Sequence, residues 1–208
     1  MTQKQSKSDP GKLVIISGPS GVGKSTVVKK LLQQCDLPLE LSVSATTRPR
    51  REEDTDGVNY HFLTDEEFQQ RVSSGDFLEY AEVFGHGHWY GTLKDQVSTG
   101  LNSGKWIVLE IDVEGAARVL KLHPSAVTIF IHPGSLKELR RRLEGRGTET
   151  PESLARRLEV AGQELAATSI YQNIVTNDTV EQTVELICQL LMKSRNQPSG
   201  DNTECTTN

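Results

Sequence analysis

The chain has 208 residues, with 23 lysines and arginines against 28 aspartates and glutamates, a formal charge of −5. This length suits one domain with a buried core, and the acidic balance argues against a general nucleic-acid binder. No apolar run approaches the ~20 residues that cross a bilayer, and the polar N-terminal residues do not resemble a secretory signal. Three scattered cysteines predict no disulfide framework or zinc site and favour the reducing cytoplasm.

Short apolar runs alternate with amphipathic helical patterns along the interior of the chain. We predict strands at residues 13–16, 39–44, 106–111, 126–131 and 173–176, and helices at 24–34, 114–122, 135–144, 151–167 and 179–193. Ser135 with Glu138, and Thr179 with Gln182, have the spacing of a helix capping box. This alternation predicts an α/β fold, a three-layer arrangement with a parallel sheet and helices on both faces.

Two segments break this alternation. Residues 45–92 are rich in turns and aromatic side chains and contain a helix start at Thr64 and Glu67, which predicts a small, partly antiparallel insert. Residues 140–157 are rich in arginine and glycine, which suits a mobile helical flap. The polar ends, residues 1–10 and 196–208, are predicted to be disordered tails around a single domain at 11–195.

Between the first strand and the first helix lies a glycine-rich phosphate loop. The loop and the start of the helix contain Gly18, Pro19, Ser20, Gly21, Val22, Gly23, Lys24, Ser25 and Thr26, and the first eight match G-x-x-x-x-G-K-[ST]. Its backbone N–H groups and the helix dipole favour a phosphate, Lys24 can reach the β and γ oxygens, and Ser25 can offer a hydroxyl to Mg²⁺. The alternative, a glycine-rich turn that holds Lys-Ser by chance, does not explain the correct strand and helix on either side.

Arginines cluster in two places, which predicts binding of a polyanion because the guanidinium group binds phosphate in a bidentate manner. They are Arg48, Arg50 and Arg51 early in the chain, and Arg140, Arg141, Arg142, Arg146, Arg156 and Arg157 later. Solvated helix faces remain the alternative for Arg140, Arg141 and Arg156. The N-K-x-D guanine signature of small GTPases is absent from the sequence.

Four separated blocks resemble the guanylate kinase family over about residues 12–193. They are the loop at 17–26, Ser42-Val43-Ser44-Ala45-Thr46-Thr47-Arg48, Glu110-Ile111-Asp112-Val113-Glu114-Gly115, and Arg142-Leu143-Glu144-Gly145-Arg146-Gly147-Thr148. The resemblance implies transfer of the ATP γ-phosphoryl group to GMP, and to dGMP. It also implies a core (11–44, 93–139 and 168–195), a GMP-binding insert (45–92) and a lid (about 140–167).

The resemblance also implies roles for individual residues. GMP would be surrounded by Ser44, Arg48, Arg51, Tyr60, Glu79, Tyr90, Thr92, Glu110 and Asp112. On the ATP side, Lys24, Arg142, Arg146 and Arg157 would contact the transferred phosphate, Asn177 would lie near adenine, and Ser25 would bind Mg²⁺ with waters. Lys24, Arg48, Arg142, Arg146 and Arg157 form the expected catalytic set. For Tyr60 and Tyr90, packing remains the alternative role on the residues alone.

Two departures and two rival functions accompany this hypothesis. Pro49 lies one place earlier than in the family, so Arg50 could replace Arg51 as the phosphate anchor, and Glu110 stands where the family usually has aspartate. One rival is a non-catalytic scaffold domain that binds phosphorylated peptides, and the other is a kinase with a different acceptor. The sequence leaves open whether the protein is a monomer or a homo-oligomer.

Overall fold

The computed structural model describes residues 11–82, 87–145 and 150–195, so the predicted tails and Arg146 lie outside the described residues. The strands are β1 (Leu13–Ser17), β2 (Leu39–Leu41), β3 (Ala45–Thr46), β4 (His61–Phe62), β5 (Phe77–Glu82), β6 (Trp89–Leu93), β7 (Trp106–Glu110), β8 (Val127–His132) and β9 (Asn173–Thr176). The helices are α1 (Lys24–Gln34), α2 (Asp65–Ser74), α3 (Lys94–Asn102), α4 (Val113–Leu122), α5 (Leu136–Glu144), α6 (Pro151–Ala166) and α7 (Val180–Arg195), with a 3-10 turn at Thr168–Ile170.

The larger sheet is fully parallel and has the strand order β2-β7-β1-β8-β9. Alternate residues of its strands face opposite sides, as the strand geometry requires. On β1, Val14 and Ile16 join an apolar cluster with residues of α1 and α7, whereas Leu13 and Ile15 join a second cluster with residues of α3 and α4. The predicted α/β class with helices on both faces is therefore confirmed.

The smaller sheet is mixed and has the strand order β4-β3-β6-β5. β3 is parallel to β4 and antiparallel to β6, and β5 is antiparallel to β6. Its apolar face packs against α2, where Phe68 stacks on Phe77 with ring centroids 4.5 Å apart. Thr64 caps α2 in a complete capping box with Glu67, as the sequence predicts.

Helices α5 and α6 pack against each other through Leu139, Leu143 and Ala161, all of them buried. Leu143 also lies against Gly21 of the phosphate loop. The approach is close: a Cβ atom added at Gly21 would be only 2.5 Å from Leu143 Cδ2. Apolar atoms thus join this helix pair directly to the loop. No helix within the described ranges combines the length and apolar character needed to span a bilayer.

The structure differs from the sequence-based expectations in two elements. β2 ends at Leu41 rather than at residue 44, because Ser42–Ser44 cross from the larger sheet to β3 of the smaller one. Helix α3 was not predicted: it buries only Val97 and Gly100, and Leu93 provides no side-chain cap. Its segment therefore offers only one apolar pair at helical spacing, Val97 and Leu101, and no capping side chain at Leu93.

Candidate functional site

The phosphate loop has the backbone that its glycines predict. Gly18, Gly21 and Gly23 have φ angles of +148°, +90° and +99°. Gly23 is the N-cap of α1 and supplies no side-chain hydrogen bond, and the first turn of α1 carries no acidic residue. The N–H groups at this helix end are therefore not capped by a side chain of residue 23, and together with the helix dipole they favour an anion.

Lys24 and Ser25 lie at the mouth of this loop. The Lys24 ammonium donates to the carbonyl oxygens of Gly18 at 2.5 Å and Pro19 at 3.3 Å. Ser25 is exposed, and its Oγ donates to Glu110 Oε1 at 2.6 Å. Thr26 is exposed on the first turn of α1. The loop thus carries a cation bonded to its own carbonyl groups and, next to it in the chain, a hydroxyl bonded to a carboxylate.

The oxygen pair of Ser25 and Glu110 suits Mg²⁺. This ion prefers oxygen ligands and keeps several waters, so it needs only one or two protein groups beside the substrate phosphates. In the ranges that the structure describes, no cluster of three or more His, Cys, Asp or Glu side chains could enclose a metal. The available donors therefore fit a metal held largely by phosphate and water.

Arg142 and Asn177 bond to the phosphate loop at Val22. Arg142 Nε donates to Glu138 Oε1 at 2.8 Å, Nη1 to the Val22 carbonyl at 3.2 Å, and Nη2 to the Asn177 carbonyl at 2.7 Å. The buried Asn177 amide donates to the same Val22 carbonyl at 2.7 Å, and its Oδ1 accepts from Thr183 Oγ1 at 2.9 Å. Both predicted ATP-side residues thus bond to the loop or to each other in this conformation.

Arg157, the other predicted ATP-side arginine within the described ranges, is half-buried on α6. The sequence indicated Glu138 only as the capping partner of Ser135, although its spacing of four residues before Arg142 on one helix could also have indicated the Glu138–Arg142 pair. The hydrogen bonds from Arg141 and Arg142 hold the pKa of the Glu138 carboxyl down at about 2.

A second cationic site lies in the insert. The Arg48 guanidinium stacks over the Tyr60 ring at 5.4 Å and the Phe62 ring at 5.6 Å, and Nη2 binds Asp54 Oδ2 at 2.8 Å. The rings of Tyr60 and Tyr90 meet edge to face at 5.7 Å. Arg48, Tyr60 and Tyr90, all expected from the resemblance to surround GMP, are therefore neighbours.

Burial raises the pKa of the Tyr60 hydroxyl to about 12, and the neighbouring Tyr90 and Glu110 act in the same direction. Tyr60 therefore keeps its proton at neutral pH and can donate it in a hydrogen bond to an anion. The influence of Glu110 on Tyr60, together with its bond to Ser25, places this carboxylate between the phosphate loop and the insert.

Asp54 organises the arginine turn, and sequence reasoning missed it because an aspartate in a turn carries no distinguishing pattern. Its Oδ2 accepts from the Arg51 backbone N–H at 2.8 Å as well as from Arg48, and these bonds lower the pKa of its carboxyl. Arg50 Nε donates to the Asp54 carbonyl at 2.7 Å. The Arg51 side chain is exposed, and its guanidinium forms no hydrogen bond with the described residues.

A buried carboxylate lies at the opposite end of the insert. Glu79 is only 8% exposed, and its Oε1 accepts from Thr92 Oγ1 at 2.7 Å. Burial raises the pKa of Glu79, the Thr92 hydrogen bond opposes this, and the nearby Asp112 raises it further. Asp112 caps α4 through the Gly115 N–H at 2.7 Å, and a Cβ atom at Gly115 would lie 3.0 Å from Glu79 Oε2. Glycine at position 115 thus allows α4 to approach the Glu79 carboxylate.

Ser44 is half-buried in the crossing segment between the two sheets. Its carbonyl accepts from the His61 backbone N–H at 2.9 Å. The phosphate loop, Glu110 and Asp112 follow the carboxyl ends of β1 and β7, the edge at which open parallel sheets bind ligands. The insert supplies the remaining residues predicted to surround GMP, which are Arg48, Arg51, Tyr60, Glu79, Tyr90 and Thr92.

Comparisons with known proteins agree on one family. A family model described as guanylate kinase matches residues 10–194. A guanylate kinase of Rhodopirellula baltica is 57% identical over 187 residues, 89% of this chain and 90% of the relative. One from Clostridium perfringens is 48% identical over 195 residues, 94% of this chain and 89% of the relative. The crystal structure of guanylate kinase from Anaplasma phagocytophilum matches with a TM-score of 0.76 and 31% identity, over 92% of this chain and 89% of that one.

Proposed function

This chain belongs to the guanylate kinase family, and from that membership and the site we propose how it transfers a phosphoryl group from ATP to GMP. ATP binds with its phosphates in the loop at Gly18–Thr26, and GMP binds in the insert. The two nucleotides meet end to end near Glu110, which lies between the two cationic sites.

The GMP phosphate binds at Arg48, Arg51, Tyr60 and Tyr90. Arg48 is held in place by Asp54 and by two aromatic rings, so little conformational entropy remains to be lost on binding. Arg51, whose side chain is exposed, supplies a second guanidinium, since Arg50 is already bonded to the Asp54 carbonyl. The tyrosines add neutral hydrogen-bond donors.

Guanine binds at Glu79, with Ser44, Thr92 and Asp112 beside it. An ionised carboxylate can accept from guanine N1–H and the 2-amino group together, and adenine lacks this pair of donors. The buried Glu79–Thr92 pair is the observation that carries this assignment, because a base other than guanine would bury the Glu79 carboxylate without supplying the two donors that guanine offers. The proposed contacts go to the base and the phosphate rather than to the ribose, so dGMP is also an acceptor.

The reaction needs positioning and charge neutralisation rather than a general base. Phosphoryl transfer proceeds through a loose transition state, and the acceptor oxygen of GMP belongs to a phosphate that is already anionic at neutral pH. Lys24 and Arg142 hold the donor phosphates, Arg48 holds the acceptor, and Arg146 and Arg157 approach when the lid closes and excludes water. Ser25 and Glu110 would hold Mg²⁺, which would neutralise charge on the β and γ phosphates.

Asn177 stays assigned to the neighbourhood of adenine, and its bond to Val22 supports a role at the base of the loop. We place the protein in the cytoplasm, where it would return GMP to the purine nucleotide pool. The odd number and wide spacing of the three cysteines in the sequence favour a reducing compartment.

The test is turnover of the purified protein with ATP and each of GMP, dGMP, AMP, UMP and CMP. We expect Glu79→Gln to lower the preference for GMP over AMP in kcat/KM by about 100-fold, with the KM for ATP unchanged. Glu53→Gln, at an exposed glutamate of the insert, is the matched control. Equal turnover of AMP and GMP by the unmodified protein would refute the assignment of Glu79, and GMP binding without any turnover would indicate the scaffold function.

A further inference from the structure

Helix α3 carries a glutamine that joins the two sheets at the crossing segment. Gln96 Oε1 accepts from the Val43 backbone N–H at 3.0 Å and lies 3.5 Å from Ser42 Oγ. Its Nε2 lies 2.6 Å from His61 Nε2 on β4. The sequence analysis singled out neither this helix nor this side chain.

The hydrogen bond from Val43 to Gln96 determines which ring nitrogen of His61 carries the proton. A backbone N–H can only donate, so the Gln96 atom that faces Val43 must be the amide oxygen. The amide nitrogen therefore faces His61 and donates to it, which requires an unprotonated Nε2 and places the imidazole proton on Nδ1. Each of the two bonds thus specifies the orientation of the other.

These bonds form a closed ring with the backbone. Gln96 binds Val43 and His61, Val43 precedes Ser44, and the Ser44 carbonyl accepts from the His61 N–H at 2.9 Å. Residues 43–44 belong to no strand, so no ladder of sheet hydrogen bonds fixes their backbone. The bonds to Gln96 and His61 restrict the backbone conformation of these two residues instead.

We propose that Gln96 and His61 are positioning residues that hold Ser44 in place for GMP. Neither needs to touch the nucleotide: they act through the backbone of residues 43–44. The inference rests on the proposed placement of guanine beside Ser44. It predicts that loss of the ring weakens GMP binding selectively, because the ATP loop is built from β1 and α1 on other contacts.

Three variants test this. Gln96→Leu keeps the side-chain size and removes both bonds, and Gln96→Glu restores them if His61 Nε2 becomes protonated and donates to the carboxylate. Gln70→Leu, at an exposed glutamine of α2, is the matched control. We measure kcat and the KM for GMP and ATP, and the imidazole ¹⁵N chemical shifts of His61, assigned with His61→Phe.

For Gln96→Leu we expect the KM for GMP to rise about tenfold with the KM for ATP within twofold, and for Gln96→Glu we expect partial recovery. The His61 shifts should show a proton on Nδ1 in the unmodified protein and on Nε2 in Gln96→Glu. If Gln96→Leu does not fold, the KM values of His61→Phe, expected to change in the same way, decide the question.

An unchanged KM for GMP, or equal changes in both KM values, would overturn the inference. Ser44→Ala separates this failure from a failure of the proposed GMP site. If Ser44→Ala raises the KM for GMP while Gln96→Leu does not, only the positioning role is wrong. If neither variant changes it, guanine does not bind beside Ser44.

Discussion

Glu164 on α6 is a half-buried carboxylate that has no role in the proposed reaction. Burial raises the pKa of its carboxyl from 4.5 to about 7; the charge of Lys24 opposes this rise and that of Asp112 adds to it. The raised pKa means that ionising Glu164 costs free energy in the folded protein. The substitution Glu164→Gln tests this cost, because it keeps the shape of the side chain and removes the ionisable group.

The sign follows from proton linkage. Below pH 4.5 Glu164 is protonated in both the folded and the unfolded chain. Between pH 4.5 and about 7 the unfolded chain releases the proton while the folded chain keeps it, so the free energy of unfolding falls as the pH rises. Above about pH 7 the decrease in the free energy of unfolding is complete. It amounts to about 3 kcal/mol, since the pKa rises from 4.5 to about 7 and one pKa unit corresponds to about 1.4 kcal/mol.

We therefore expect Glu164→Gln to gain about 3 kcal/mol in unfolding free energy, relative to the unmodified protein, between pH 4 and pH 8. Urea unfolding of both proteins at half-unit pH intervals measures this difference in unfolding free energy. The contributions of the other titrating groups cancel because both proteins contain them. Glu159→Gln, at an exposed glutamate on the same helix, should show little pH dependence. A difference between Glu164→Gln and the unmodified protein that stays constant from pH 4 to pH 8 would refute the argument.

Two further substitutions test the GMP side. Gly115→Ala should raise the KM for GMP at least about tenfold and leave the KM for ATP unchanged, because the new methyl group would lie 3.0 Å from Glu79 Oε2 and 3.2 Å from Asp112 Oδ1. Steady-state kinetics measure both KM values. An unaltered KM for GMP would contradict a role for the close approach of Gly115 to Glu79. Arg51→Ala should raise the KM for GMP about 100-fold, the loss expected for a bidentate guanidinium–phosphate pair, and Arg50→Ala about threefold or less. The reverse order would identify Arg50 as the anchor.

Local patterns made the phosphate loop and most of the core predictable from the sequence. The loop motif specifies its own backbone through glycine and its own position through the strand and helix on either side. The capping pairs at Thr64 and Ser135 were likewise readable, because a helix start depends on residues only three apart.

The contacts between distant segments were not predictable in the same way. Asp54 holds Arg48 by a turn geometry that sequence spacing does not encode, and Gln96 acts from a helix whose apolar face is only the pair Val97 and Leu101. Glu110 meets Ser25 only because β7 lies beside β1 in the sheet, an order that a single sequence does not specify. The predicted roles of individual residues at GMP and ATP remain predictions that the experiments above test.

The contact between Leu143 and Gly21 has a thermodynamic consequence. Because α5 and α6 share one apolar cluster, a rotation of this pair against the core must repack the side chain that lies on the phosphate loop. If ATP binds this loop as proposed, the orientation of the pair and the affinity for ATP are coupled through this contact. By reciprocity, whatever factor ATP binding gains when the helices swing inward, the inward state gains the same factor when ATP binds.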